Sequence, residues 1–194
     1  KIQIKETIRE HFEKELRISQ LPDGQRMKVL SLFFVDRVAN YADADGKFRQ
    51  WFVEYYNEIS KLPRYAALNA LPVDKVHNGY FAEDKGKPKD SSEGRTTKAD
   101  DDAYALIMQK KEQLLTITEP LRFIFSHSAL REGWDNPNVF QICTLREIST
   151  ERERRQTIGR GMRLPVRENG ERCFDQLINR LTVVASESFK ELAK

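Results

Sequence analysis

Apolar positions along the chain follow two rhythms. Ile4, Ile8, Phe12 and Leu16 recur every four residues, which is one stripe of an amphipathic helix. "LPDGQ" at 21–25 is turn chemistry. "MKVLSLFFV" at 27–35 then runs almost unbroken in branched and aromatic residues, a pattern that suits a strand covered on both faces. "ADADG" closes the element that follows, and Phe48, Trp51, Phe52, Tyr55, Ile59 and Leu62 return to helical spacing over 47–62. "PVDKVHNGYF" at 72–81 reads as a short extended piece, and Ala103, Leu106, Ile107 and Leu114 mark the next helix. "LRFIFS" (121–126) and "VFQICTL" (139–145) are two more buried-strand patterns. Thr150 and Glu153 have the spacing of a capping box at a helix start. "RLTVVAS" (180–186) predicts a last strand, followed by a short helix carrying Phe189 and Leu192.

Strands thus alternate with helices, and most strands read as buried on both faces. This predicts an α/β layered domain with a mainly parallel sheet, in which ligands gather at the carboxyl ends of the strands. The loops after residues 126 and 145 are therefore the places to look. Residues 83–102, "EDKGKPKDSSEGRTTKADDD", are polar and nearly free of apolar side chains. With little to bury against the entropy of ordering, they predict a mobile loop inside a single domain spanning 1–194.

Composition narrows the class only a little. The chain has 194 residues, 39% apolar and 32% charged, with a net charge of +3, enough for one full core and mildly basic. No run approaches the roughly 18 apolar residues of a membrane span. The opening residue is Lys1 rather than Met, which points to a piece of a longer protein. Cys143 and Cys173 lie in no metal-ligand spacing, so a reduced, cytoplasmic setting is the expected one.

Several chemistries find no support in the residues. Gly46-Lys47 and Gly86-Lys87 are followed by Phe and Pro, with no hydroxyl to hold magnesium as a phosphate-binding loop requires. His11, His77 and His127 are widely separated, and no metal site is expected. "DADG" fails as a calcium loop, because its first and twelfth positions would be Tyr41 and Phe52. Asp74 followed by Glu83-Asp84-Lys85 has the D…ExK spacing of a metal-dependent nuclease. Such a triplet normally sits on a buried strand, and here it opens the most polar stretch of the chain.

Residues 151–165, "ERERRQTIGRGMRLP", hold five arginines and two glycines. On a continuous helix Gln156, Arg160 and Arg163 fall at i, i+4 and i+7, one face. Gly159 and Gly161 bracket Arg160, and a glycine inside a helix costs about 1 kcal/mol relative to alanine. That is a poor composition for a merely charged surface and a sensible one where backbone or ligand must approach closely. Arginine rather than lysine also suits a planar fork on phosphate oxygens. A solvated charged face is the competing reading, and it fits "ERERR" at 151–155 well. Upstream, "SHSALREGWDNPNV" (126–139) connects two buried strands through Gly133, Asp135 and Pro137. Asp135 there is placed either as an acceptor for a ribose hydroxyl or as an ordinary turn residue.

Taken together these residues resemble the second RecA-like lobe of a superfamily two helicase or translocase. "REGWDNP" is similar to its motif V, and "QTIGRGMR" matches the Q-x-x-G-R-x-x-R form of motif VI. "KVLSLFFVDRVANY" (28–41) resembles the motif IV strand, and "VHNGYF" (76–81) sits where relatives place a His-Gly segment. "VHNGYFAEDKGKPKD", "LRFIFSHSALREGWDNPNVFQICTL" and "RLTVVASESFKELA" narrow the resemblance to the restriction (Res) subunit of type III restriction–modification enzymes, over roughly residues 28 to 193.

The resemblance implies a three-layer RecA-like fold, as in the C-terminal lobe of a phosphate-loop NTPase-like helicase. It implies that ATP and Mg2+ are bound mainly by a first lobe of the same polypeptide. Arg160 and Arg163 would serve as arginine fingers, with Gln156 and Gly159 beside the nucleotide and Gly133 and Asp135 sensing nucleotide and ribose. Double-stranded DNA and a modification methyltransferase subunit are the implied partners, and no membrane is. Six residues before the motif V glycine, many relatives carry a threonine that contacts the nucleic-acid backbone. Here the position is His127, flanked by Ser126 and Ser128, either of whose hydroxyls can bond a phosphate. The residues alone leave two alternatives: the same lobe from another superfamily two DNA or RNA helicase, or a non-catalytic α/β module that binds DNA or protein. The isolated segment is expected to be inactive.

Overall fold

The computed structural model describes residues 1–81, 83–84, 87–88, 107, 110–127, 136–147 and 150–185. Its centre is a five-stranded sheet built from β1 (Leu30–Phe34), β2 (His77–Tyr80), β5 (Phe123–Ser126), β6 (Val139–Thr144) and β7 (Thr182–Val184), in the order β2-β5-β1-β6-β7. All four pairings are parallel, which is consistent with the expected RecA-like α/β fold. A separate two-stranded antiparallel pair joins β3 (Glu83–Asp84) to β4 (Lys87–Pro88).

The apolar runs explain the sheet. β1, β5 and β6 are buried at every residue, as strands covered on both faces must be. Their alternation sends Phe33, Phe123, Phe125 and Cys143 to one face and Leu30, Leu32, Phe34, Ile124 and Ile142 to the other. On the first face lie α1 (Ile2–Ser19) and α3 (Lys47–Ile59), with Ile4, Ile8, Phe12, Phe52, Tyr56 and Ile59 in a shared core. An aromatic stack organises that core. Phe33 and Phe125, register partners on β1 and β5, lie 4.5 Å apart and nearly parallel, and Tyr41 stacks on Phe125 at 4.1 Å. Tyr41 belongs to α2 (Ala39–Ala42). Ile107 and Leu114, the latter on α5 (Lys111–Leu114), cover the opposite face.

Three details depart from the pattern read in the sequence. On α3 it is Tyr56 rather than Tyr55 that is buried beside Phe52, and Leu62 is 42% exposed beyond the helix end; helical phase brings Phe52, Tyr56 and Ile59 onto the sheet together. The 72–81 piece is only half extended, since Val73–Val76 form one turn (α4) before β2 begins. The last predicted helix, with Phe189 and Leu192, lies outside the described residues, as do Ala103, Leu106 and most of 83–102.

Candidate functional site

The site predicted around Arg160 and Arg163 is built on the β6–α6–β7 crossover, where α6 is Glu151–Gly159. Thr150 caps α6, its side chain accepting from the Glu153 backbone N–H at 3.3 Å. The Glu153 carboxylate does not return to Thr150 as a full capping box would; it receives Arg146 at 2.5 Å instead. Arg155 pairs with Glu151 in the same first turns. The acidic half of "ERERR" is thereby neutralised, and this part of the helix is the solvated charged face that one of the two readings held.

Thr157 is the buried residue of α6, its hydroxyl donating to the Glu153 carbonyl at 2.8 Å. This orientation leaves Gln156 exposed and Arg160 half-buried. Burial draws the Arg160 pKa down, yet a guanidinium keeps its charge in proteins. The helix ends at Gly159, with Arg160 as its cap. The i, i+4, i+7 face therefore extends through Arg160 and fails for Arg163, because two glycines around Arg160 do not hold another helical turn. The chain turns instead, with Gly161 N–H on the Ile158 carbonyl at 2.9 Å and Met162 N–H on Gly159 at 3.4 Å. Arg163 is exposed and folds back, donating to the carbonyls of Gly159 at 3.3 Å and Met162 at 3.2 Å, which are among the carbonyls left over at a helix end.

The two glycines have different causes. A Cβ on Gly161 would come 2.4 Å from Leu181 Cδ1 and 3.3 Å from Ile142 Cδ1, so its close approach is to the sheet. A Cβ on Gly159 would meet nothing within 4 Å. The surface beside Arg160 is open at Gly159.

At the carboxyl end of the neighbouring strand, Ser126 closes β5 and is 3% exposed, its carbonyl accepting from Val35 N–H at 2.8 Å. His127 donates from Nε2 to the Asp36 carbonyl at 2.9 Å, tying the start of the loop to the end of β1. Ser128, Gly133 and Asp135 lie outside the described residues. Where the loop returns, Asn138 is fully buried and braces the segment after the arginines. It accepts from Val166 N–H at 2.7 Å and donates to the Val166 carbonyl at 2.9 Å. The end of the 126–139 connection and the chain that follows Arg163 are thus joined by one side chain that sequence reasoning passed over.

Of the D…ExK residues, Asp74 stands on the α4 turn, Glu83 on the small antiparallel pair, and Lys85 outside the described residues. Among the described residues no group of three metal-ligating side chains comes together, and no helix is long and apolar enough to cross a membrane. Cys143 and Cys173 are both free and buried.

No family model matches the chain. Curated proteins do. It is 38% identical to the type III restriction-modification enzyme EcoPI Res subunit of Escherichia phage P1, over 85% of this chain and 17% of that protein. The EcoP15I Res subunit of Escherichia coli gives 38% over the same shares, and the StyLTI Res subunit of Salmonella typhimurium 38% over 89% of this chain and 20% of the relative. The chain spans about a fifth or less of the length of these relatives.

Proposed function

We propose, from the homology of this chain to one segment of type III Res subunits, that it is the second motor lobe of an ATP-dependent DNA translocase within a restriction endonuclease subunit. The observation that carries the reading is the asymmetry of the two glycines around Arg160. Gly161 is consumed by packing on Leu181, whereas Gly159 leaves open surface beside a half-buried guanidinium. That opening leaves room for a nucleotide to approach the Arg160 guanidinium.

In this reading Arg160 and Arg163 meet the spreading negative charge of phosphoryl transfer as arginine fingers, and Gln156 stands beside them on the exposed side of α6. Arg163 reaches outward by exchanging its two carbonyl acceptors for phosphate oxygens. Gly133 and Asp135 sense the nucleotide and its ribose, and Ser128, on the loop after β5, contributes to the DNA backbone grip, while Ser126, buried at the end of β5, anchors the start of that loop. ATP and Mg2+ would be held mainly by a first lobe of the same polypeptide, and closure of this lobe over them would couple hydrolysis to the grip on DNA. Double-stranded DNA and a modification methyltransferase subunit complete the assembly.

The division of labour is testable. A polypeptide extended upstream to include the first lobe should hydrolyse ATP when DNA is present, and residues 1–194 alone should not. Robust hydrolysis by residues 1–194 alone would overturn the reading.

A further inference from the structure

Several of the exposed large apolar side chains, Met162, Leu164, Phe174 and Leu177, fall between 162 and 177. The backbone beneath them is pinned. Residues 165–173 form a hairpin that turns at Gly170, where φ is 85°. Arg167 N–H donates to the Glu171 carbonyl and Cys173 N–H to the Pro165 carbonyl, each at 2.8 Å, and Val166 bridges to Arg172. This antiparallel register sets Leu164 opposite Phe174, and side chains directly opposite share a face. Cys173 and Ile178 turn the other way, into a core with Ile18, Met27, Val29 and Phe140. From α1, Lys14 Nζ donates to the carbonyls of Ile178 at 2.9 Å and Arg180 at 3.2 Å, and Arg17 donates to that of Leu177 at 3.2 Å. Phe174, 72% exposed, and Leu177, 62% exposed, therefore project from a fixed frame. Anchors held in place before binding need little ordering when a partner arrives.

The charges around this face select the partner. Arg172 donates to the Leu164 carbonyl at 2.8 Å, Arg17 to the Leu177 carbonyl, and Arg180 to the Gln176 carbonyl at 3.2 Å. None of the three forms an ion pair among the described residues. Asp175, the carboxylate between Phe174 and Leu177, accepts from the Leu177 N–H at 2.8 Å, and Glu168 and Glu171 lie at the hairpin tip. An apolar face flanked by such guanidiniums is complementary to a segment carrying both carboxylates and apolar side chains. A second copy would set arginines against arginines across a two-fold contact.

DNA fits less well, because interfaces with DNA are polar and leave these apolar side chains without a counterpart. The patch also lies at the far end of the sheet from the loop given above to DNA. Glu168 N–H on the Arg26 carbonyl at 2.8 Å ties the hairpin ahead of β1, and Asn138 ties it ahead of β6, whereas Ser126 closes β5 at its carboxyl end. The relatives have ample chain to cover the patch, since the stretch matched here is 17–20% of their length. We propose that Leu164, Phe174 and Leu177 dock an acidic segment with apolar anchors that belongs to the same polypeptide and lies outside residues 1–194. The proposal rests on the reading of function above only in where it places DNA.

Maleimide labelling of Leu177→Cys, read at that site by mass spectrometry without ATP, tests this. In residues 1–194 alone the introduced thiol should react freely. In the full-length polypeptide, with no DNA and no methyltransferase subunit, it should react at least about ten-fold more slowly, as a group does that is reached only when a docked segment opens. Adding Arg172→Glu to the full-length protein should return most of the lost rate by repelling the acidic segment. Equal rates in the two chains, slowing that needs added duplex DNA or methyltransferase subunit, slowing that grows with protein concentration, or protection that survives Arg172→Glu would overturn the proposal. The comparison of Leu177→Cys in the two chains decides even if Arg172→Glu fails to fold. ATP turnover is not read, so failure here stays distinct from failure of the arginine-finger reading.

Discussion

Gly161 and Leu181 touch so closely that no side chain fits between them: a Cβ at 161 would lie 2.4 Å from Leu181 Cδ1. The contact seats the exit of α6 on β6 and the start of β7, and so sets where Arg160 stands. Because the atom in the way ends a flexible, half-buried side chain, the space yields at moderate cost. Gly161→Val should destabilise the chain by about 1–3 kcal/mol, the usual penalty of overpacking. Gly159→Ala, at the open position, should be neutral or stabilising by up to about 1 kcal/mol through helix propensity alone. Urea midpoints of the two variants check the contrast, and equal losses would contradict it.

Lys28 gives the chain a pH dependence with a definite sign. It is 2% exposed, its ammonium reaches the Glu119 carbonyl, and burial beside Arg122 pulls its pKa from 10.5 down to about 7. Between those values the unfolded chain holds the proton that the folded chain has released, so stability rises with pH. Lys14, drawn down to about 8, acts in the same sense above that pH. Cys143, pushed up from 9.0 to about 12, works the opposite way above 9. The unfolding midpoint in urea should therefore climb from pH 7 to 9. Lys28→Met should be more stable at pH 7 and should show a shallower climb; an unchanged slope would refute the assignment to Lys28.

Phe125 is the hinge of the aromatic core, stacked between Phe33 and Tyr41 with Phe52 edge-on at 5.5 Å. Phe125→Ala should cost about 3–5 kcal/mol, as deletion of a fully packed aromatic does. Calorimetric melting reads the result, and a loss below about 1 kcal/mol would mean that the stack is not central to the fold.

Much of this architecture was legible because period and burial coincide. The run from Met27 to Val35 contains β1 with every strand residue buried, and the four-residue stripe of Ile4, Ile8 and Phe12 became the core face of α1. The cap at Thr150 was legible for the same local reason. The fate of the glycines was not, since Gly161 answers to Leu181 twenty positions away and a linear pattern carries no such distance. The i, i+7 placement of Arg163 failed because it assumed a helix that the glycines end. The buried polar residues of α1 were also missed. His11 and Glu15 have helical i, i+4 spacing, but their partners Ser31, Arg122 and Gln141 come from three other places in the chain.

Arg160 and Arg163 are proposed to complete an active site whose other half lies on a first lobe. The most direct test is DNA-stimulated ATP hydrolysis by a polypeptide carrying both lobes, with Arg160→Ala and Arg163→Ala measured against the unsubstituted protein and melting temperatures recorded beside them. Each substitution should lower turnover by about 10³–10⁵-fold, the range for loss of an arginine finger, with melting unchanged. Unaltered turnover in both variants would contradict it.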